Sequence, residues 1–142
     1  MAEGVTGEVG GTTDPSARLR VGVDLVSVAD IAEAVALHGD RYLRRVFTGH
    51  EIESCQSDQG IRFESLAARF AAKEAAVKAL QPSDGGPSWT DIEIRRAGNG
   101  ACSVALHGAA AEYAAAAGID HLAVSMSHEG QVAVAVVAAW AR

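Results

Sequence analysis

The stretch RFAAKEAAVKAL, Arg69–Leu80, decides how the rest of the chain is read. It is rich in alanine and holds no glycine or proline, so it predicts helix. On a 3.6-residue period Phe63, Leu66, Phe70 and Val77 fall on one apolar stripe, and Glu74 lies on that stripe. A carboxylate on the face a helix should bury needs a reason. The helix is expected to run from about Gly60 to Leu80 and to close at Gln81-Pro82, before the loop Gln81 to Ser88.

Working outward, RLRVGVDLV (Arg18 to Val26) alternates Leu19, Val21, Val23 and Leu25, which predicts a strand with Asp24 on its other face. SVADIAEAVALHG has helical spacing, with Ser27 as N-cap and Gly39 as stop. DRYLRRVF is a second short helix. Thr48 and Glu51 of TGHE have the spacing of a capping box. DIEIRR and CSVALH predict two strands around a turn at Gly98-Asn99-Gly100. Gly108 to Gly118 is a further helix. HLAVSMSHEG and QVAVAVVAAW close the chain as two strands around Glu129-Gly130. The order is roughly β-α-α-β-β-α-β-β. It predicts an α+β domain with a mostly antiparallel sheet packed on a long helix. Residues 1–17, rich in Gly and Thr, are expected to be a disordered leader, and residues 18–142 the single folded domain.

The totals narrow the function. The chain has 142 residues, 49% of them hydrophobic, enough for one domain with a core. A formal net charge of −6 argues against a nucleic-acid partner, which selects basic faces. Apolar runs are too short for a bilayer, and no basic stretch precedes an apolar one, so neither a membrane span nor a secretory signal is expected. Cys55 and Cys102 lack metal-ligand spacing and are expected to be free thiols in a cytoplasmic protein.

Three residues break their local pattern. Asp24 ends an apolar strand, Glu74 lies on the helix stripe, and His128 ends another strand within SMSHEG. A buried carboxylate must be neutralised, paired or metal-bound. Two carboxylates from different elements could together hold Mg²⁺, which takes oxygen ligands and leaves positions for substrate phosphate. Lys78, one turn after Glu74, could neutralise such a phosphate, with Arg69 adding charge. His128 and Ser127 could donate hydrogen bonds to an anion. Plainer readings compete: Asp24 as a turn residue, Glu74 and Lys78 as a surface i,i+4 pair, His128 as a solvated side chain.

Taken together, GVDLVSVADI (Gly22 to Ile31), RFAAKEAAVKAL, WTDIEI (Trp89 to Ile94) and VSMSHEGQVAVAVV (Val124 to Val137) resemble, in order and spacing, the motifs of the holo-[acyl-carrier-protein] synthases. These form the small class of 4'-phosphopantetheinyl transferases. The resemblance implies transfer of the phosphopantetheine arm of coenzyme A to a serine of an acyl carrier protein or carrier domain, releasing 3',5'-ADP. It implies Asp24 and Glu74 as Mg²⁺ ligands, with Lys78 on the transferring phosphate. Arg69, Lys73 and His128 would then serve the coenzyme A phosphates. It also implies a homotrimer with sites at subunit interfaces. The alternative is a relative that binds coenzyme A or the carrier with little or no transfer. Three positions depart from the family pattern. Asp30 stands where an arginine is common on the carrier-docking helix, Gln81-Pro82-Ser83 replaces Gly-Thr-Gly, and Gly98-Asn99-Gly100 is followed by Ala101. Asp30 points to a carrier domain of a biosynthetic assembly line, such as polyketide synthesis, over the acidic carrier of fatty acid synthesis.

Overall fold

The computed structural model describes residues 18–83 and 86–141; the segment 1–17, read above as a leader, lies outside them. Strand β1 (Leu19–Ser27) pairs antiparallel with β7 (Val132–Trp140), from Leu19 opposite Trp140 to Ser27 opposite Val132. The other edge of β7 pairs with β6 (His121–Glu129), giving a three-stranded sheet in the order β1-β7-β6. The β6–β7 turn uses Gly130 at φ 58°, a left-handed conformation that favours glycine. The strands β4 (Ile92–Arg96) and β5 (Cys102–Leu106) form a separate hairpin. The antiparallel α+β class is as expected, but the strands are divided among separate ladders.

Between β1 and the hairpin lie α1 (Val28–His38), α2 (Asp40–Val46), α3 (Gly49–Ser54) and the long α4 (Phe63–Leu80). Both expected caps are present. Ser27 accepts from the Asp30 amide at 3.3 Å, and Thr48 and Glu51 form a reciprocal capping box at the start of α3. The long helix begins at Phe63, not Gly60. Gly60–Ile61 (β3) pairs with Gln56–Ser57 (β2) in a two-residue ladder, which takes that backbone out of the helix. After β5, helix α5 (Gly108–Ala116) leads into β6.

Two expectations about faces are corrected. The alternating residues of β1 do mark a strand, but Leu19, Val21, Val23 and Leu25 point away from the helix and are 48–66% exposed. Arg20, Gly22, Asp24 and Val26 face inward instead. On α4 only one residue of the large apolar stripe, Leu66, is fully buried. Phe63, Phe70, Glu74 and Val77 are half-buried, while Ala67, Ala71, Ala72, Ala75, Ala76 and Ala79 are fully buried against the sheet. Small side chains let the backbones approach. A Cβ added to Gly22 would stand 2.0 Å from the Ala75 carbonyl oxygen, so β1 and α4 touch main chain to main chain. That contact brings the Asp24 segment against the Glu74 segment.

Candidate active site

The inward side of β1 carries Asp24 to the flank of α4, where it meets Glu74 and Lys78. Lys78 Nζ lies 2.8 Å from Asp24 Oδ1 and donates to the Val23 carbonyl at 3.0 Å. The lysine side chain is 56% exposed and the aspartate 13%. Glu74 lies beside Asp24, where a protonated carboxyl can form a hydrogen bond between the two. Burial, that hydrogen bond and the nearby Asp24 charge together raise the Glu74 carboxyl to about 7, with Lys78 opposing. Two acids this close cannot both ionise freely without a compensating cation. A hard divalent ion with oxygen ligands suits the chemistry of the pair: the two carboxylates supply anionic oxygens, and Lys78 beside them is 56% exposed. Among the described residues no group of three or more His, Cys, Asp or Glu side chains forms a fuller metal cage.

Lys73 is a correction. It was expected to serve coenzyme A phosphates, but it is wholly buried. Its ammonium meets Glu51 Oε1 at 2.7 Å, the Trp89 carbonyl at 3.0 Å and the Ile92 carbonyl. An ammonium has three donors, so none remains for a ligand. Burial lowers the Lys73 pKa, with Glu51 and Glu93 opposing that shift. Glu51, predicted only as a cap, therefore has two tasks. It accepts from the Thr48 amide at 2.8 Å and from the Ile94 amide at 2.7 Å, tying α3, α4 and β4 together. Beside it Glu93 accepts from Thr48 Oγ1 at 2.7 Å and Arg95 Nε at 2.8 Å, with His107 Nε2 at 3.2 Å. Burial alone would raise the Glu93 carboxyl, but these hydrogen bonds outweigh it and hold the group at about 2.

Arg69, Ser127 and His128 lie elsewhere. They share the wall of a cavity of about 260 Å³ between α4, β6 and the β4–β5 hairpin. Arg69 is 2% exposed; its Nη1 donates to Ser65 O at 3.2 Å and its Nε has no hydrogen-bond partner. Arg96 and Cys102 complete the polar wall. Within one chain the predicted residues thus form two groups. Asp24 stands on the β1 edge of the sheet, Ser127 and His128 on the β6 edge, with β7 between. Sequence reading missed Arg96 and Cys102, which no local pattern marks. It also missed the reach of Glu51, whose capping oxygen Oε1 also meets Lys73 while Oε2 accepts from the Ile94 amide; no local spacing marks either partner.

Comparison with known proteins fits this geometry. Residues 20–137 match the 4'-phosphopantetheinyl transferase superfamily. The holo-[acyl-carrier-protein] synthase of Chloroflexus aurantiacus is 44% identical over 135 residues, covering 84% of this chain and 96% of the relative. That of Desulforudis audaxviator is 47% identical over 117 residues, covering 82% and 88%. A crystal structure of the Helicobacter pylori holo-[acyl-carrier-protein] synthase in complex with coenzyme A superposes with a TM-score of 0.71 at 34% identity, over 82% of this chain and 96% of that one. With inward-facing acids on β1 and α4, and a match running from Arg20 through Val137, the chain belongs to the 4'-phosphopantetheinyl transferase superfamily.

Proposed function

We propose that the chain is a holo-[acyl-carrier-protein] synthase. It transfers the 4'-phosphopantetheine group of coenzyme A to a serine hydroxyl of an apo carrier protein. The observation that carries this reading is the junction of Asp24, Glu74 and Lys78 between β1 and α4, in a chain of this family. In the reaction the serine oxygen attacks the phosphorus bearing the pantetheine arm. The P–O bond to the adenosine phosphate breaks, and 3',5'-ADP leaves.

Asp24 and Glu74 would hold Mg²⁺, which when bound offsets the charge of the diphosphate. Two Lys78 donors are taken by Asp24 and Val23, leaving one for a phosphate oxygen on the open side. Arg69, Ser127 and His128 supply a cationic and hydroxyl-lined cavity for the remaining phosphates. The serine proton needs an acceptor within hydrogen-bond reach, and Glu74, directly or through one water, is assigned that role. Rate comes from position and charge neutralisation, as in phosphoryl transfer generally.

The two groups at opposite sheet edges would complete one another between copies of the chain. The exposed apolar face of Leu19, Val21, Val23, Leu25, Val132 and Val136 supports association, and we infer the homotrimer that the family resemblance implies. Light scattering on the wild type and on Val23→Glu tests it; a monomeric wild type would sink it. Free Cys55 and Cys102 support a cytoplasmic setting, and no helix among the described residues is long and apolar enough to cross a membrane.

For the carrier, Asp30 and Glu33 are exposed on α1 next to Leu37. An acidic face repels an acidic partner, which supports a carrier domain of a biosynthetic assembly line. Mass spectrometry of apo carriers incubated with the protein, coenzyme A and Mg²⁺ tests both readings. The expected result is a phosphopantetheine mass gain that disappears with EDTA and in Glu74→Ala, and that is faster on an assembly-line carrier than on the fatty-acid carrier. Coenzyme A or carrier retention without ADP release would instead mark a binding relative.

A further inference from the structure

The two cysteines differ sharply in setting. Cys55 is wholly buried. Cys102, at the start of β5, is partly exposed and lines the same cavity as Arg69, Arg96 and His128. Among the described residues no carboxylate lines that cavity. Arg69 is built into its wall, 2% exposed, with an Nε that no protein group satisfies. With Arg96 it makes the cavity wall cationic. Cys102 Sγ has one weak contact, to the Gly100 carbonyl at 3.9 Å, so the thiol is not locked away by a strong partner.

We propose that Cys102 is a thiol–disulfide exchange site addressed by small disulfides bearing carboxylate or phosphate groups, and that the adduct closes the anion cavity. The cations gather an anionic disulfide around the sulfur and orient it. The Cys102 thiolate attacks one sulfur of R–S–S–R, forming Cys102–S–S–R, and R–S⁻ leaves and takes up the proton the thiol released. The disulfide is the oxidant: Cys102 is oxidised and one R–S group is reduced. A reducing thiol reverses the step. The effect on transfer rests on the reading that this cavity receives the phosphates of coenzyme A.

The test treats the full chain with glutathione disulfide, coenzyme A disulfide and the uncharged hydroxyethyl disulfide. Adducts are mapped by mass spectrometry, with each rate normalised to that of free cysteine. One adduct is expected, on Cys102 and not Cys55, absent in Cys102→Ser and removed by dithiothreitol. The two anionic disulfides should react at least about tenfold faster than the neutral one at low salt, and the advantage should shrink at high salt and in Arg96→Gln. Glutathione disulfide alone showing the advantage identifies a carboxylate reagent; coenzyme A disulfide alone identifies a phosphate one. Equal normalised rates, no adduct, or an adduct on Cys55 would overturn the exchange site and leave the transferase reading standing. Charge-selective labelling that coenzyme A does not slow would overturn the phosphate-cavity reading and the proposed block of transfer, while the exchange site itself stands.

Discussion

Lys73 and Lys78 stand about a turn and a half apart on one helix, and each meets a carboxylate. Lys73 and Glu51 are both fully buried, and every lysine donor has an acceptor. Lys78 and Asp24 are 56% and 13% exposed, and the acid beside them, Glu74, is raised to about 7 by burial and by its neighbour Asp24, which Lys78 offsets only in part. The first pair is electrically complete and can only hold structure. The second is incomplete, and that shortfall is what a metal ion and a diphosphate can use. Nearness of charges does not separate the two; saturation and access do.

The sharpest way to break the comparison is Lys73→Ala. It strands a buried Glu51 carboxylate, and unfolding by denaturant should show a loss of about 3–5 kcal/mol. Lys78→Ala should do the reverse. Transfer should fall about 10²–10³-fold in the carrier assay, by analogy with the loss of a transition-state donor, while the thermal midpoint stays near wild type. A Lys78→Ala protein that unfolds early, or a Lys73→Ala protein of normal stability, would erase the distinction.

A subtler test uses pH. Glu93 is held at about 2, below its ordinary value of 4.5, so it stabilises the fold above pH 4.5, and that stabilisation is lost as pH falls toward 2. Glu93→Gln should cost about 1.5–3 kcal/mol near pH 6, and the difference from wild type should close by pH 2. Denaturant melts at several pH values measure it. The smallest effect is expected at Gln81, just past the end of α4, in a left-handed conformation at φ 51°. Gln81→Gly should raise stability by up to about 1 kcal/mol in the same melts, without altering transfer.

Much of the fold was legible because periods are local. The β1 alternation, the α4 composition and the Thr48–Glu51 spacing each mark an element that is present. The burial side was not legible. An apolar alternation on β1 looks the same whether it faces its own helix or another surface, and here it faces outward. On α4 the bulky residues drew attention from the alanines that pack. Of the candidate site, Asp24, Glu74 and Lys78 could be placed from pattern and resemblance, since a charge in an apolar run needs a partner. Lys73 could not, because its partner Glu51 lies on another helix and no spacing rule connects them. Nor could the separation of Arg69, Ser127 and His128 from the acids, which follows from strand order.

The contact at Gly22 has a further consequence. Because β1 meets α4 through bare backbone, the spacing of the two acids is set by a main-chain ruler, not by side-chain filling. Repacking the layers away from this contact would leave that ruler in place, so a redesigned enzyme could change its carrier face and keep the spacing of the two acids. Position 22 joins Asp24, Glu74 and Lys78 among those such a library should leave untouched, for a single methyl group there would wedge β1 and α4 apart.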